Sequence, residues 1–218
     1  MRNRVKSYEH AGFTVEYISD RCIHAAECVR GLPQVFDPEK RPWIDPTQAE
    51  AAAIAHVIQR CPTGALRFRY ASGSPQEEPD PEVTVEIVPS GPLYIRGDIR
   101  LPGPDGETGH EARLALCRCG ASENKPRCDN SHIQADFDDA GTIGDSKLVP
   151  VQGSEAPGID ITPAPNGPLL VEGRVQIIGS DGQRVEGARS ALCRCGASNN
   201  KPFCDGSHVE IGFEDKAG

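Results

Sequence analysis

The sequence predicts an α+β chain in which a small mixed domain precedes a β-rich body made of two copies of one module. Three observations carry this reading. FTVEYI and ALRFRY alternate as strands do, and TQAEAAAIAHVIQR between them has helical composition and period. ASGSPQEEPDPE, residues 71–82, is small, Pro-rich and acidic with no apolar period, as a solvated linker would be. After it the chain repeats itself with a period of 76 residues: GPLYIRGDIRLPGPDGETGHEARLALCRCGAS aligns without a gap to GPLLVEGRVQIIGSDGQRVEGARSALCRCGAS.

These boundaries divide the chain into a first domain over residues 1–72, a linker over 73–82, and two modules over 83–150 and 151–218. In the first domain the helix is expected to start after Asp45 and Pro46, with Thr47 as N-cap and Glu50 completing a capping box. The repeat extends backward to place Val83, Val85 and Pro89 over Ile159, Ile161 and Pro165, and forward to Phe137 over Phe213. Two copies are too few for a solenoid. They suit a pseudo-two-fold body in which each copy completes the other's core, with two or three short β runs before each Cys-rich loop.

Composition narrows the classes. Aromatics are 5% and hydrophobics 37%, with 23 Gly and 19 Pro, which suits short strands and loops around small cores. Cores this thin usually need covalent or metal staples, and nine cysteines could supply them. An odd number cannot pair completely as disulfides. No apolar signal segment follows MRNRVKSYEHAGF, and no run approaches the roughly 18 apolar residues of a membrane helix. A cytoplasmic location is expected, with no membrane association, and clustered Cys there reads as metal-binding or redox chemistry. Net charge is −9, unevenly spread: residues 1–72 hold 10 Lys/Arg against 8 Asp/Glu, the remainder 13 against 24. That imbalance argues against a nucleic-acid partner.

The chemistry concentrates in CRCGASENKPRCDNSH, residues 117–132, and CRCGASNNKPFCDGSH, residues 193–208. The third cysteine and the histidine lie four apart, Cys128 with His132 and Cys204 with His208, a spacing that shares one face of a helix. Asp129 and Asp205 could cap that helix. Cys117 with Cys119, and Cys193 with Cys195, would close each site from a facing loop, and the Gly after each pair allows close backbone approach. Four ligands of type Cys₃His fit zinc or an iron–sulfur cluster. Zinc knuckles leave about two to four residues between paired cysteines, so one is less typical, but spacing alone leaves both open.

Both strings resemble the CDGSH iron–sulfur (NEET) family pattern, C-x-C-x2-(S/T)-x3-P-x-C-D-G-x2-H. The second copy fits at Cys193, Cys195, Ser198, Pro202, Cys204, Asp205, Gly206 and His208; the first departs once, with Asn130 in place of Gly. Asn tolerates a left-handed backbone better than other non-glycine residues, so the first site is expected to survive. The resemblance covers residues 83–218. It implies a 2Fe–2S cluster in each copy and a pseudo-dimer with a strand-swapped β-cap, here within one chain. Three thiolates and a neutral imidazole on an oxidised core of charge +2 leave −1, between the four-thiolate and two-histidine classes. The potential should then fall roughly between −400 and +300 mV. Protonating the ligating nitrogen would open the Fe–N bond, so the imidazole also makes a cluster releasable.

Cys22, Cys28 and Cys61 remain, in RCIHAAECVRGLPQVFDP and QRCPTGAL. Bacterial ferredoxins use C-x2-C-x2-C plus a distant Cys-Pro. Here the middle cysteine is replaced by Ala25, and Cys61 before Pro62 is the distant member. Residues 13–70, including PWI and CPTGAL, resemble the divergent single-cluster bacterial ferredoxins, which implies a ferredoxin-like α+β domain. Three thiolates suit a 3Fe–4S cluster, with 4Fe–4S the alternative. His24, beside the vacant position, could cap a fourth iron, although a lone histidine is usually a polar surface residue. His56 is expected partly exposed and Trp43 in the core.

No nucleotide-binding loop and no catalytic triad or paired-carboxylate arrangement is evident. The expected function is a non-enzymatic three-cluster protein for one-electron transfer, working with redox partner proteins. The alternative is storage and delivery of 2Fe–2S units to apo-proteins, and a structural zinc module is the third reading. A monomer with internal pseudo-two-fold symmetry is expected, because both copies lie in one acidic chain.

Overall fold

The computed structural model describes residues 5–71, 77–103, 108–151 and 157–215. The chain falls into two compact units, Met1–Glu78 and Pro79–Gly218. Of the expected linker, residues 73–76 lie outside the described residues, and 77–82 carry neither strand nor helix.

The first unit is built on an antiparallel sheet of β1 (Val5–His10), β2 (Phe13–Ile18) and β3 (Leu66–Tyr70), with β2 in the centre. β2 and β3 are the two alternating strands of the sequence. β1 has no apolar alternation and is almost wholly exposed, so periodicity does not reveal it. Two short helices, α1 (Glu27–Gly31) and α2 (Ala51–Ile58), complete the unit. α2 buries Ile54, Ala55, Val57 and Ile58 among Phe13, Val15, Val35, Phe36, Leu66 and Phe68. It starts four residues later than Thr47. Pro46 begins a separate 3₁₀ turn that Asp45 caps by accepting from the Thr47 amide at 3.1 Å, and Glu50 is the N-cap of α2 without a side-chain bond. The expected capping box does not form, because Asp45 takes the amide first.

In the second unit each copy supplies three strands. The first gives β4 (Thr84–Ile87), β5 (Leu93–Pro102) and β6 (Thr108–Leu116); the second gives β7 (Ile159–Pro163), β8 (Leu169–Ile178) and β9 (Arg184–Leu192). β5 with β6 and β8 with β9 are antiparallel hairpins. β4 pairs antiparallel with its own β5 and parallel with β8, while β7 pairs antiparallel with β8 and parallel with β5. The pairing therefore closes on itself through β4, β5, β7 and β8 as a small barrel. Each short strand stays on its own hairpin and adds its other edge to the neighbour's. The described pairing is a sharing of strands between the two hairpins.

The long strands change partner at a glycine. β5 faces β4 up to Arg96 and β7 from Ile99, with a register shift between; β8 does the same between Glu172 and Val175. Gly97 (φ +122°) and Gly173 (φ +111°) stand in those bulges, where a side chain would strike Val83 or the Gly158 carbonyl. A bulge with glycine bends a strand sharply enough to leave one neighbour for another. Inside lies one core from both copies, with Val85, Ile87, Leu93, Ile95 and Leu116 packed with Ile161, Leu169, Val171, Ile177 and Leu192.

The Cys-rich loops follow β6 and β9 and meet backbone to backbone. A Cβ added at Gly120 (φ +80°) would stand 2.5 Å from the Cys195 carbonyl oxygen, and one at Gly196 (φ +85°) 2.6 Å from that of Cys119. Neither loop can give way without moving the other's cysteines. Gly120→Ala should therefore destabilise the protein by about 1–3 kcal/mol more than Gly182→Ala. Gly182 has a similar φ of +84° but nothing within 4 Å, so it carries the backbone cost alone. The midpoint of chemical denaturation for the two variants measures the difference; equal midpoints would contradict the close packing.

Candidate metal centres

In the first unit, Cys22 ends a 3₁₀ turn after β2, Cys28 lies in the first turn of α1, and Cys61 follows α2. Their three side chains line one pocket of about 340 Å³ including its mouth, together with Tyr17, His24, Ala25, Trp43 and Thr63. Between Cys22 and Cys28 two non-glycine residues are left-handed, His24 at φ 55° and Ala26 at φ 61°. Such positions cost roughly 1–2 kcal/mol each. Burial, then the neighbouring Cys61, pushes the Cys28 thiol up to about 11. Left alone the Cys28 sulfur stays protonated, and it ionises when a cation stands beside it.

Sequence reasoning missed Tyr17 and Thr63. The Tyr17 hydroxyl hydrogen-bonds Cys22, and its own pKa is raised by burial first and then by Cys22. Thr63 is buried, with its hydroxyl 3.5 Å from the Cys61 sulfur. Trp43 is not a plain core residue: it is half-buried, lines the pocket and meets the Tyr17 ring edge-on at 4.9 Å. Exposed His24 is at the pocket wall, and His56 is exposed on α2.

In the second unit the ligand candidates come as pairs. Cys117 and Cys119 have sulfurs 3.6 Å apart, and the Cys128 sulfur lies 3.5 Å from His132 Nδ1. In the second copy, Cys193 and Cys195 are 3.8 Å apart and Cys204 is 3.4 Å from His208 Nδ1. Among the described residues no group of three or more His, Cys, Asp or Glu converges on one ion. Each Cys–Cys pair shares one proton: the hydrogen bond from one sulfur lowers the other to about 6, Cys117 in the first copy and Cys195 in the second. Burial pushes Cys128 up to about 11 and raises Cys204. It also lowers His132, which favours the neutral imidazole with a free lone pair. None of the nine cysteines is in a disulfide.

Cys and His do not meet as helix neighbours. α3 (Ser131–Gln134) and α4 (Ser207–Glu210) are single turns that begin after Cys128 and Cys204. A left-handed residue reverses the chain between cysteine and helix: Gly206 at φ 95° and, where the motif is broken, Asn130 at φ 73°. The substitution keeps the geometry. The Asp129 carboxylate then accepts from the Ser131 amide and hydroxyl at 3.0 and 2.6 Å and from the Glu123 amide at 2.8 Å, tying the helix to the cysteine loop. Asp205 repeats this with Ser207 and Asn199, and those hydrogen bonds, the Ser207 hydroxyl first, hold it well below the usual carboxylate range.

The residue inside each Cys-x-Cys also escaped sequence reasoning. Arg118 and Arg194 are each only 1% exposed. Arg118 donates to the Gly91 carbonyl at 2.9 Å, the Val88 carbonyl at 2.6 Å and Asp139 at 2.5 Å, with its guanidinium 5.0 Å from the Phe137 ring centre. Arg194 donates to Gly167, Ala164 and Asp215 and lies over Phe213. Each arginine thus fastens its cysteine loop to the turn before the hairpin and to the segment after the helix. The signal was present in the identical Cys-Arg-Cys and the paired Phe137 and Phe213, but an arginine in a loop reads as exposed. Arg194→Met leaves Asp215 and the Gly167 carbonyl without this partner and should cost about 3–5 kcal/mol. Denaturation midpoints of this variant beside Arg184→Met, whose parent side chain is on the surface, check the figure; equal midpoints would remove the clamp.

Comparison with known proteins agrees with this layout. Residues 8–71 match the family described as a divergent 4Fe-4S mono-cluster. Residues 90–133 and 166–209 both match the iron-binding zinc finger of CDGSH type. The uncharacterized protein YjdI of Escherichia coli K12, and its counterpart in E. coli O157:H7, are 41% identical over 49 residues. That alignment spans 22% of this chain and 64% of those proteins. No solved structure matches the chain. Segment by segment the chain carries a divergent 4Fe-4S mono-cluster domain followed by two CDGSH-type iron-binding domains in tandem.

Proposed function

We propose that this is a one-electron carrier and not an enzyme, with a 2Fe–2S cluster at Cys117, Cys119, Cys128 and His132, another at Cys193, Cys195, Cys204 and His208, and a 3Fe–4S cluster in the ferredoxin-like domain at Cys22, Cys28 and Cys61. The observation that supports it most is the pairing of the donors. A binuclear cluster presents two irons, each needing two protein ligands, and each site offers one Cys–Cys and one Cys–His pair. A structural zinc needs all four donors on one point, and the described donors do not converge so. These clusters, when bound, take up and release single electrons.

The chain's own groups prepare the sites. Backbone amides of Ala121 and Asn130 point at the sulfurs of Cys119 and Cys128, each at 3.4 Å, and stabilise thiolate there. The buried arginines hold the loops without reaching the sulfurs, so they orient ligands while keeping water out. In the first unit Tyr17 and Thr63 hydrogen-bond Cys22 and Cys61, and Ala25 offers no ligand at the vacant corner.

A second reading, delivery of 2Fe–2S units to apo-proteins, draws on the position of His132 and His208. Both are half-buried on single-turn helices at the surface. Mixing the loaded chain with an apo-ferredoxin separates the readings: delivery moves the visible chromophore to the acceptor, and electron transfer leaves it in place.

Two measurements test the assignment. The anaerobically purified protein should contain seven irons per chain, with the near-isotropic low-temperature EPR signal of an oxidised 3Fe–4S centre. Ala25→Cys should abolish that signal as the fourth corner fills. Eight irons and no signal would overturn the three-iron assignment in favour of 4Fe–4S, and iron-free zinc protein would overturn the whole reading. His208→Cys adds one negative charge to its site, so one 2Fe–2S midpoint should drop toward the four-thiolate range while the other stays. Unmoved midpoints would exclude His208 as a ligand.

A further inference from the structure

The three most exposed large hydrophobic side chains among the described residues are Val209 at 74%, Ile133 at 66% and Ile211 at 53%. All three sit within three residues of a candidate histidine ligand. Ile133 and Val209 occupy the same position in the repeat, directly after His132 and His208, on helices too short to bury them. An apolar residue at this position in both copies, beside the half-buried histidine of each site, has no use in the fold: neither side chain belongs to the core.

Charge around these positions is one-sided. Glu123, Asp136 and Asp138 in the first copy and Glu210 and Glu214 in the second are exposed, and none has an ion-pair partner among the described residues. The nearby cations point inward. Arg118 and Arg194 are buried, Lys125 donates to the Ser122 carbonyl, and Lys201 donates to Ser198 and lies 3.7 Å from Asp139. Acids outnumber bases 24 to 13 over residues 73–218.

We propose that the faces carrying Ile133 and His132, and Val209, Ile211 and His208, dock a redox protein whose own site is an apolar patch rimmed by Lys and Arg. This rests on the electron-carrier reading above and names its partner's chemistry. The apolar residues supply the desolvated centre of the contact, and the acids steer a basic partner and repel an acidic one. A second copy of this chain brings the same acids to the contact and is disfavoured by repulsion.

The probe is cytochrome c, a basic haem protein, with the acidic cytochrome b5 as counterpart. Before mixing, the absorption spectrum and reversible reduction of the 2Fe–2S centres are recorded; their failure would overturn the electron-carrier reading itself. With the loaded, reduced chain, haem reduction followed by stopped flow should be faster for cytochrome c and should slow as NaCl is raised. Ile133→Ser, Val209→Ser and Ile211→Ser together should lower the cytochrome c rate about tenfold, with iron content and midpoints unchanged. Glu210→Lys with Glu214→Lys should flatten the salt dependence. Intact centres with a rate indifferent to salt and to the serine variants would overturn the docking face. So would a dimer in light scattering that the serine variants abolish, because the patch would then serve self-association.

Discussion

The contact of Gly120 with the Cys195 carbonyl, and of Gly196 with that of Cys119, is the constraint on which the second unit depends. Two loops that carry the candidate metal ligands are pressed together where no side chain fits. Everything around them maintains that approach. The strands β4 and β7 are shared between hairpins, so the two copies cannot slide apart without losing pairing on both. The bulges at Gly97 and Gly173 bend the long strands into the closed barrel that makes such sharing feasible. One core then fills the barrel from both copies. A duplicated module with little apolar mass of its own becomes one body by this route.

Electrostatics follows the same division between inside and outside. Arg118 and Arg194 each answer two backbone carbonyls and one carboxylate, so these buried charges stand in pairs. Lone arginines at such places would be intolerable, which is why Asp139 and Asp215 sit 21 residues after their partners in both copies. The acids left over face solvent. Buried thiols raised by desolvation complete the pattern: Cys28 and Cys128 ionise when positive charge arrives, so metal and fold stabilise one another.

The Cys–Cys and Cys–His pairs were legible because the same residue types recur at the same spacing, and duplication showed them twice. Asn130 was legible as well, since its left-handed conformation follows from local sterics. Local rules failed where two local solutions competed. Asp45 and Pro46 formed their own turn, and the helix after them started late. The face-sharing of Cys128 with His132 was right in outcome and wrong in cause, because a chain reversal and not a helix brings them together. Strand sharing and the burial of Arg118 and Arg194 were not legible, since both arise from contacts distant in sequence. Trp43 read as an ordinary core residue until the fold placed it, with Tyr17, at the pocket of Cys22, Cys28 and Cys61.

The central claim is that each CDGSH-type site holds two irons, one of them bound by an imidazole nitrogen. Electron spin-echo envelope modulation on the fully reduced protein tests it directly, because a reduced 3Fe–4S centre has integer spin and leaves the 2Fe–2S signal in view. The account predicts strong ¹⁴N modulation of that signal, halved in amplitude when either His132 or His208 is replaced by cysteine and absent when both are. A reduced 2Fe–2S signal with no strong nitrogen coupling in the unaltered protein would contradict it.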